Sequence, residues 1–135
     1  KVRTYIASGN VVAERDDSEA EAKAALELEL RAYAGKPIGV IVRTGAEMSK
    51  VVANNPFPDR SASRTVAIFL DPAPSPEALK NVKGQANEEV RLGARELYVH
   101  YPDGIGRSKL RIRAAGDGTA RNMNTVAKLA AMAAE

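Results

Sequence analysis

Alternating and helically spaced apolar positions predict a β-hairpin and then a long helix in the first part of the chain. Residues Lys1 to Ile6 alternate as a half-buried strand does, and a Gly-Asn pair separates them from the apolar run Val11 to Ala13. From Ser18 to Ala34 the apolar spacing is helical, and the segment begins with an S-x-x-E capping box. The predicted inner face of this helix consists of Ala22, Ala25, Leu26, Leu30 and Tyr33.

The middle of the chain predicts a strand, a short helix and a boundary. Pro37 to Arg43 is rich in Ile and Val, and Thr44 with Glu47 forms a second capping box that begins a helix. Met48, Val51 and Val52 are its predicted inner residues. The Pro-containing and polar residues 54–63 predict a boundary between a first half, 1–55, and a second half, 64–135.

The second half begins with the nearly continuous apolar run Thr65 to Leu70, which is typical of a central strand. Ser75 and Pro76 predict the start of a short helix with Leu79 and Val82 inward.

Two strand-like runs then predict a second hairpin, Glu88 to Leu92 and Glu96 to Tyr101. Alternation in the latter run places Leu97, Val99 and Tyr101 on one face and Glu96, Tyr98 and His100 on the other. A last helix is predicted from Ala120 to Ala134, with Thr119 as its cap. Its predicted inner residues are Met123, Val126, Ala127 and Ala130.

Composition excludes several classes of protein. With 135 residues, 44% of them hydrophobic and 27% charged, the chain is typical of a globular protein. It has no apolar run of membrane-spanning length, so we expect a cytoplasmic protein without a membrane partner. The absence of Cys and the single His leave no predicted metal site, and no cofactor is predicted. Aromatic residues are scarce, which disfavours base stacking on single-stranded nucleic acid.

Positive charge is concentrated near the C-terminus. The whole chain carries a net +3, whereas residues 106–128 hold six Lys or Arg and one Asp, a net +5. Four of these cations occupy every second position, namely Arg107, Lys109, Arg111 and Arg113. In an extended segment they would project together, about 6 to 7 Å apart, as a row that follows phosphates. The alternative is that the charges protect an exposed edge strand from pairing with other chains.

A glycine-rich turn follows this row. Gly116 to Gly118 precede the predicted helix start, where free NH groups and the helix dipole favour an anion. The predicted ligand-binding residues are therefore Arg107, Ser108, Lys109, Arg111, Thr119, Arg121, Asn122 and Asn124.

Three functions are compatible with these residues. The leading hypothesis is a non-catalytic module that binds a phosphorylated or other anionic ligand, which includes nucleic acid, through Arg107, Lys109, Arg111 and Arg121. The second is an enzyme acting on a phosphorylated small molecule, in which His100, Tyr98 or Asp103 transfers a proton near the basic row. The third is a structural protein whose sheet edge pairs with a second copy as a homodimer. No catalytic residue is assigned.

Five segments resemble the bacterial domain-of-unknown-function family 1697. They are RTYIASGNVV, VIVRTGAEM, NNPFP, ELYVHYPDGIGRSKL and TARNMNTVAKL, in family order over nearly the whole chain. The resemblance implies an α/β (α+β) fold of two ferredoxin-like βαββαβ halves. Family members usually begin with a further strand, a glycine-containing loop and a helix, so the first half here is expected to lack its opening strand and helix.

Two departures from the family pattern fall in and after the basic stretch. Arg111 and Ile112 stand where the family usually has Thr-Pro, and Met123 replaces a usual Trp. The resemblance implies no activity, and the hypotheses above remain open.

Overall fold

A computed structural model describes residues 2–5, 10–13, 18–35, 40–80, 82–116 and 118–134. The described residues form a mixed α/β fold with six strands and three α-helices. The strands are β1 (Val2–Tyr5), β2 (Asn10–Ala13), β3 (Thr65–Phe69), β4 (Glu89–Leu92), β5 (Glu96–His100) and β6 (Thr119–Asn122). The helices are α1 (Glu19–Ala34), α2 (Gly45–Ala53) and α3 (Met123–Ala134).

Two separate antiparallel sheets organise the strands. β1 and β2 form the predicted hairpin, with Val2 opposite Ala13 and Tyr5 opposite Asn10, and its turn lies outside the described residues. The other four strands form one sheet in the order β4-β5-β3-β6. The prediction of a central strand is confirmed, because β3 lies between β5 and β6 and all its residues are buried.

Helices α2 and α3 cover one face of the four-stranded sheet. Thr44 and Glu47 close the predicted capping box of α2, which buries Met48 and Val51 but leaves Val52 exposed. The hydrophobic cluster on this side, here called the helix-side core, contains Met48, Val51, Phe57, Ala67, Phe69, Tyr98, Met123, Val126 and Ala130.

Irregular segments cover the opposite face. The cluster on this side, here called the loop-side core, contains Val66, Ile68, Leu70, Val90, Leu97, Val99, Tyr101 and Leu110, with Leu79, Val82, Ile112 and Ala115 packed against it. Within the described parts of 70–88 and 101–118, the chain forms turns but no α-helix. The faces predicted for β5 are confirmed, since Leu97, Val99 and Tyr101 lie in this core and Tyr98 lies in the other.

Helix α1 begins and ends as its sequence predicts. Ser18 and Glu21 form both hydrogen bonds of the capping box, and Gly35 ends the helix in the left-handed conformation at φ 74°. The predicted inner face is only partly correct, because Ala22 is buried whereas Tyr33 is 92% exposed.

Ion pairs join α1 to the rest of the molecule. The Arg95 guanidinium contacts the Glu19 carboxylate through two hydrogen bonds of 3.0 and 2.9 Å, and it also donates to Glu47 at 3.3 Å. Lys23 lies 3.5 Å from Asp71. Arg95 therefore links the starts of α1 and α2 to the turn between β4 and β5.

Two predicted elements are absent from the described residues. Of the strand predicted over Pro37 to Arg43, residues 37–39 lie outside the described part, and residues 40–43 form no strand. Their polar groups bond elsewhere: the Val40 NH donates to Glu27 at 3.1 Å, and the Arg43 guanidinium donates to the carbonyls of Leu70 and Arg95.

The helix predicted after Ser75 is a series of turns. Ser75 does cap it, since its hydroxyl accepts from the Glu77 NH at 2.9 Å, but the backbone bonds that follow are of the i to i+3 type. So short a segment gains few i to i+4 bonds to offset the cost of starting an α-helix.

The last helix starts later than predicted. Residues Thr119–Asn122 pair with β3 as a strand, so Thr119 is not a cap and α3 begins at Met123. The Asn122 side chain caps it instead, accepting from the Thr125 NH at 3.0 Å. Met123, Val126 and Ala130 are buried as predicted, whereas Ala127 is exposed. None of the described helices is long and apolar enough to span a bilayer.

Candidate functional site

The basic row is an extended segment between two short turns. A 3₁₀ turn, Ile105–Arg107, precedes it and a second, Arg113–Ala115, follows it. Between them the chain is extended, with φ/ψ of −80°/139° at Ser108 and −118°/108° at Ile112. The extended conformation therefore spans only the centre of the predicted row, and Arg107 and Arg113 belong to the turns.

Side chains alternate along this segment. Arg107, Lys109, Arg111 and Arg113 are exposed, whereas the residues between them point inward. Leu110 lies in the loop-side core and Ile112 packs against it. Leu110, which is buried, and Ile112, which is half-buried, thus hold the cations on the outer side.

The segment lies over a sheet face and is a strand of neither sheet. Its link to a neighbouring segment is an isolated bridge, in which the backbone groups of Lys83 and Arg111 exchange hydrogen bonds of 2.9 and 2.7 Å. In the part of the chain that the structure describes, the edges of the four-stranded sheet are β4 and β6, so the interpretation that the cations of this segment protect an edge strand is wrong.

Gly84 permits this close approach. It has φ +70°, and a Cβ atom there would lie 2.0 Å from the Lys109 carbonyl oxygen. Any larger residue would force the two segments apart. Gly84 therefore allows Lys83 to lie beside Arg111. Neither Gly84 nor Lys83 was among the residues predicted for the site.

A cavity of about 720 Å³, here called the basic groove, lies beside this bridge. Its charged lining residues are Lys83, Arg111 and Arg113, and no acidic residue of the described chain lines it. Its apolar lining comes from Ile68, Leu110, Ile112 and Ala115, and Tyr101 and Gly116 complete the wall. The groove thus combines a cationic rim with an apolar floor.

A smaller cavity of about 220 Å³ lies near the other end of the row and includes Arg107, Ser108 and Lys109. Two acids, Glu88 and Asp103, line it as well, so its charges balance. The Ser108 hydroxyl donates to the Glu88 carboxylate at 2.5 Å, and this bond, with the Ala86 NH, lowers the pKa of Glu88. An ionised Glu88 makes this cavity less suited to an anion than the basic groove.

Tyr101 lines both cavities and was predicted only as a face residue. It is 7% exposed, and its hydroxyl makes no hydrogen bond to any residue that the structure describes. Burial, and then the nearby Glu88 charge, raise the pKa of Tyr101, so the hydroxyl keeps its proton. The sequence gives only a weak indication that Tyr101 belongs to a site, namely its position directly after the end of β5.

The other predicted binding residues lie elsewhere. Arg121 pairs with Ala67 across the sheet, and cross-strand neighbours share a face, so it belongs to the helix side. Its Nε donates to Asn10 at 2.8 Å. Thr119 lies opposite Phe69, Asn122 caps α3, and Asn124 is exposed on α3. Strand β6 separates the glycine turn from the helix start, so the predicted anion site at that junction is not formed.

Two of the three candidate acid-base residues, Tyr98 and His100, are remote from the basic groove, whereas Asp103 lines the smaller cavity. Tyr98 donates to the Val51 carbonyl at 3.1 Å on the helix side, and burial raises its pKa to about 12. His100 is buried there, with Nδ1 3.0 Å from the Thr65 hydroxyl. That hydroxyl donates to the Ser61 carbonyl at 2.9 Å, so Nδ1 is the donor toward it. Among the described residues no acid, His or Cys cluster could hold a metal ion.

A comparison with family models identifies one match. The model described as protein of unknown function, DUF1697, matches residues 1–98. No curated protein and no solved structure matches the chain. Ile68 and Lys83 of the basic groove lie inside the matched range, whereas its other lining residues, from Tyr101 to Gly116, lie beyond it. The groove must therefore be interpreted from its own chemistry.

Proposed function

This chain belongs to the DUF1697 family of proteins of unknown function, and we propose that it is a non-catalytic binding module that holds a phosphorylated or other anionic ligand in the basic groove. Among the residues predicted for this role, Arg111 lies directly in the groove. Arg107, Ser108 and Lys109 flank it in the smaller cavity, and Lys83 and Arg113 join the set.

One observation carries the proposal: among the described residues, those that line the basic groove and carry charge are all cationic. Lys83, Arg111 and Arg113 surround an apolar floor, and no described acid shares that lining. Guanidinium groups bind phosphate oxygens through paired hydrogen bonds, which are about twice as strong as neutral ones. Since no acid of the described chain shares this lining, mobile counterions or a bound anion would balance the three positive charges.

The enzymatic alternative has less support. It requires proton-transfer groups to converge with the basic row, yet His100 and Tyr98 occupy the opposite face of the sheet. Asp103 lines the smaller cavity and accepts a hydrogen bond from Asn87 at 2.8 Å. With His100 remote, the version of this hypothesis that uses it fails.

Charge reversal at Arg111 tests the binding proposal. Thermal unfolding would be followed with pyrophosphate, adenosine monophosphate and a short oligothymidylate, each at low and high salt. A probe at about 100 times its Kd stabilises the folded state by about 2.7 kcal/mol, which raises Tm by on the order of 10 °C. We expect Arg111→Glu to abolish that rise, and salt to weaken it in the wild type.

Lys128→Glu is the matched control, because it makes the same change in net charge on an exposed part of α3 and lines neither cavity. It should keep the ligand-induced rise in Tm. An unchanged rise in Arg111→Glu, or an equal loss in both variants, would contradict the groove assignment. No rise with any probe would favour the homodimer hypothesis instead.

The strand order supports a finer description of the fold. We infer that the second half is a ferredoxin-like unit, in which β3 and β5 are the central neighbours and β4 and β6 the edges. Both long connections cross the same face of the sheet, where the two helices of such a unit would lie. Here those connections are irregular, and they form the walls of the basic groove.

A further inference from the structure

We infer that the basic groove takes a small organic phosphate with an apolar body, and that the Tyr101 hydroxyl donates a hydrogen bond to its anionic group. This inference rests on the proposed function and narrows its ligand to one chemical class. Nucleic acid, the other ligand compatible with the positive charge, is an outcome of the test below.

The size and shape of the groove favour a discrete ligand. Its volume of about 720 Å³ lies in the range of small-molecule sites, roughly 300 to 1,000 Å³. A protein that holds single-stranded nucleic acid stacks bases on exposed aromatic rings. Tyr101 is the one aromatic side chain among the described residues that line the groove, and it is buried, so no stacking surface is present there.

The floor of the groove favours an apolar body on the ligand. Ile68, Leu110 and Ile112 contribute aliphatic side chains beside the cations. An inorganic anion would leave that apolar surface hydrated, whereas the apolar body of an organic phosphate would remove it from water, which favours binding. The three cations are sufficient to neutralise a phosphate monoester, which carries up to about two negative charges.

Tyr101 supplies the hydrogen bond. Its ring is almost wholly buried, and its hydroxyl makes no hydrogen bond within the described chain. Among the described residues Arg43 Nε is the one buried side-chain polar atom without a partner, so the Tyr101 hydroxyl is open to the cavities that it lines and is free to donate there. Tyr98 shows the contrast, since its hydroxyl is satisfied by the Val51 carbonyl. Tyr101 lines both the basic groove and the smaller cavity, and its hydroxyl stays protonated. A phosphate oxygen in the groove would satisfy it.

Calorimetric titration with three probes tests the inference. The probes are 1-naphthyl phosphate, inorganic phosphate and a short oligothymidylate, at low salt. We expect 1-naphthyl phosphate to bind most tightly, at least about tenfold above inorganic phosphate, because only it covers the floor. Tyr101→Phe keeps the ring and removes the hydroxyl, and we expect it to weaken both phosphates about tenfold.

Tyr98→Phe is the matched control, because it removes a tyrosine hydroxyl from the opposite face and should leave both affinities unchanged. Ile112→Ala tests the floor independently and should reduce the preference for 1-naphthyl phosphate over phosphate. Equal affinities in Tyr101→Phe and the wild type, or tighter binding of oligothymidylate, would overturn the inference while Arg111→Glu still abolishes binding. If Arg111→Glu binds normally or no probe binds, the proposed function itself fails.

Discussion

Tyr98 and Tyr101 are three positions apart and serve opposite sides of the sheet. Their placement follows from strand alternation, and the structure confirms it. What each hydroxyl does depends on the neighbours it meets. Tyr98 reaches the backbone of α2, whereas Tyr101 faces two cavities. Residue identity and period predict the face, but only the packed fold supplies or withholds the hydrogen-bond partner.

The raised pKa of Tyr98 leads us to expect that the protein loses stability at alkaline pH. Burial raises the folded-state pKa of Tyr98 to about 12, whereas the unfolded chain has the ordinary value of 10.0. Between these values the unfolded state binds fewer protons, so the free energy of unfolding falls as pH rises, by about 1.4 kcal/mol per pH unit. The shift at Tyr101 has the same direction and adds to the slope.

Urea unfolding of the wild type and Tyr98→Phe between pH 8 and 11 measures this slope. The variant loses the hydrogen bond to Val51, so we expect it to be about 1 kcal/mol less stable at pH 8. Above pH 10 the difference should shrink, because only the wild type has this ionisation. Parallel curves over the whole range would disprove the assignment.

At the scale of elements, the capping boxes of α1 and α2 are confirmed, and the start of α3 was predicted three residues early. Local sequence decides the first two helix starts, because the cap and the bonded residue are three positions apart. Residues 119–122 had an equally plausible local signal at Thr119. Pairing with β3 gives their backbone groups partners in a sheet, and this long-range contact outweighs the local preference.

The start of α3 can be tested by two substitutions. Asn122→Ala removes the side chain that accepts from the Thr125 NH, and we expect it to lower the free energy of unfolding by about 1 kcal/mol. Thr119→Val keeps a β-branched residue in β6 and removes only the hydroxyl, so its effect should stay within about 0.5 kcal/mol. Urea unfolding measures both. A larger loss for Thr119→Val than for Asn122→Ala would restore the predicted cap.

At the scale of the whole molecule, the question is whether the two predicted halves unfold separately or together. Residues 1–55 and 64–135 were predicted as separate halves, and the division stays a prediction. Helix α2 of the first half packs on α3 of the second, and Met48 and Val51 share the helix-side core with Val126. This shared core leads us to expect that the two halves unfold together.

Met48→Ala tests the joint unfolding. Met48 is 9% exposed, and its truncation should lower the free energy of unfolding by about 2 to 4 kcal/mol. Lys50→Ala, at an exposed position of the same helix, should change it by less than about 0.5 kcal/mol. Circular dichroism follows the helices, and tyrosine fluorescence follows the chain's four tyrosines, of which Tyr98 and Tyr101 are buried in the second half. We expect one coincident transition that shifts for both probes, and two separate transitions would contradict it.

The sequence by itself determined the elements whose signals are local and periodic. The first hairpin, the central strand β3, the second hairpin, and the capped starts of α1 and α2 depend on alternation and on contacts a few residues apart. Alternation also determined that the four cations of the basic row share the exposed side, because Leu110 and Ile112 between them are apolar.

Only the tertiary structure decided which residues form the candidate site. Lys83 reaches Arg111 through a bridge that Gly84 permits, and Tyr101 meets them because the sheet face lies beneath that bridge. Arg121 carries the same charge and was predicted in the same set, but its strand register directs it to the other face. The period of a chain fixes which side of its own element a residue occupies. Contacts between residues far apart in sequence decide which elements pack together. The free energy of those contacts cannot be inferred from a local pattern of residues.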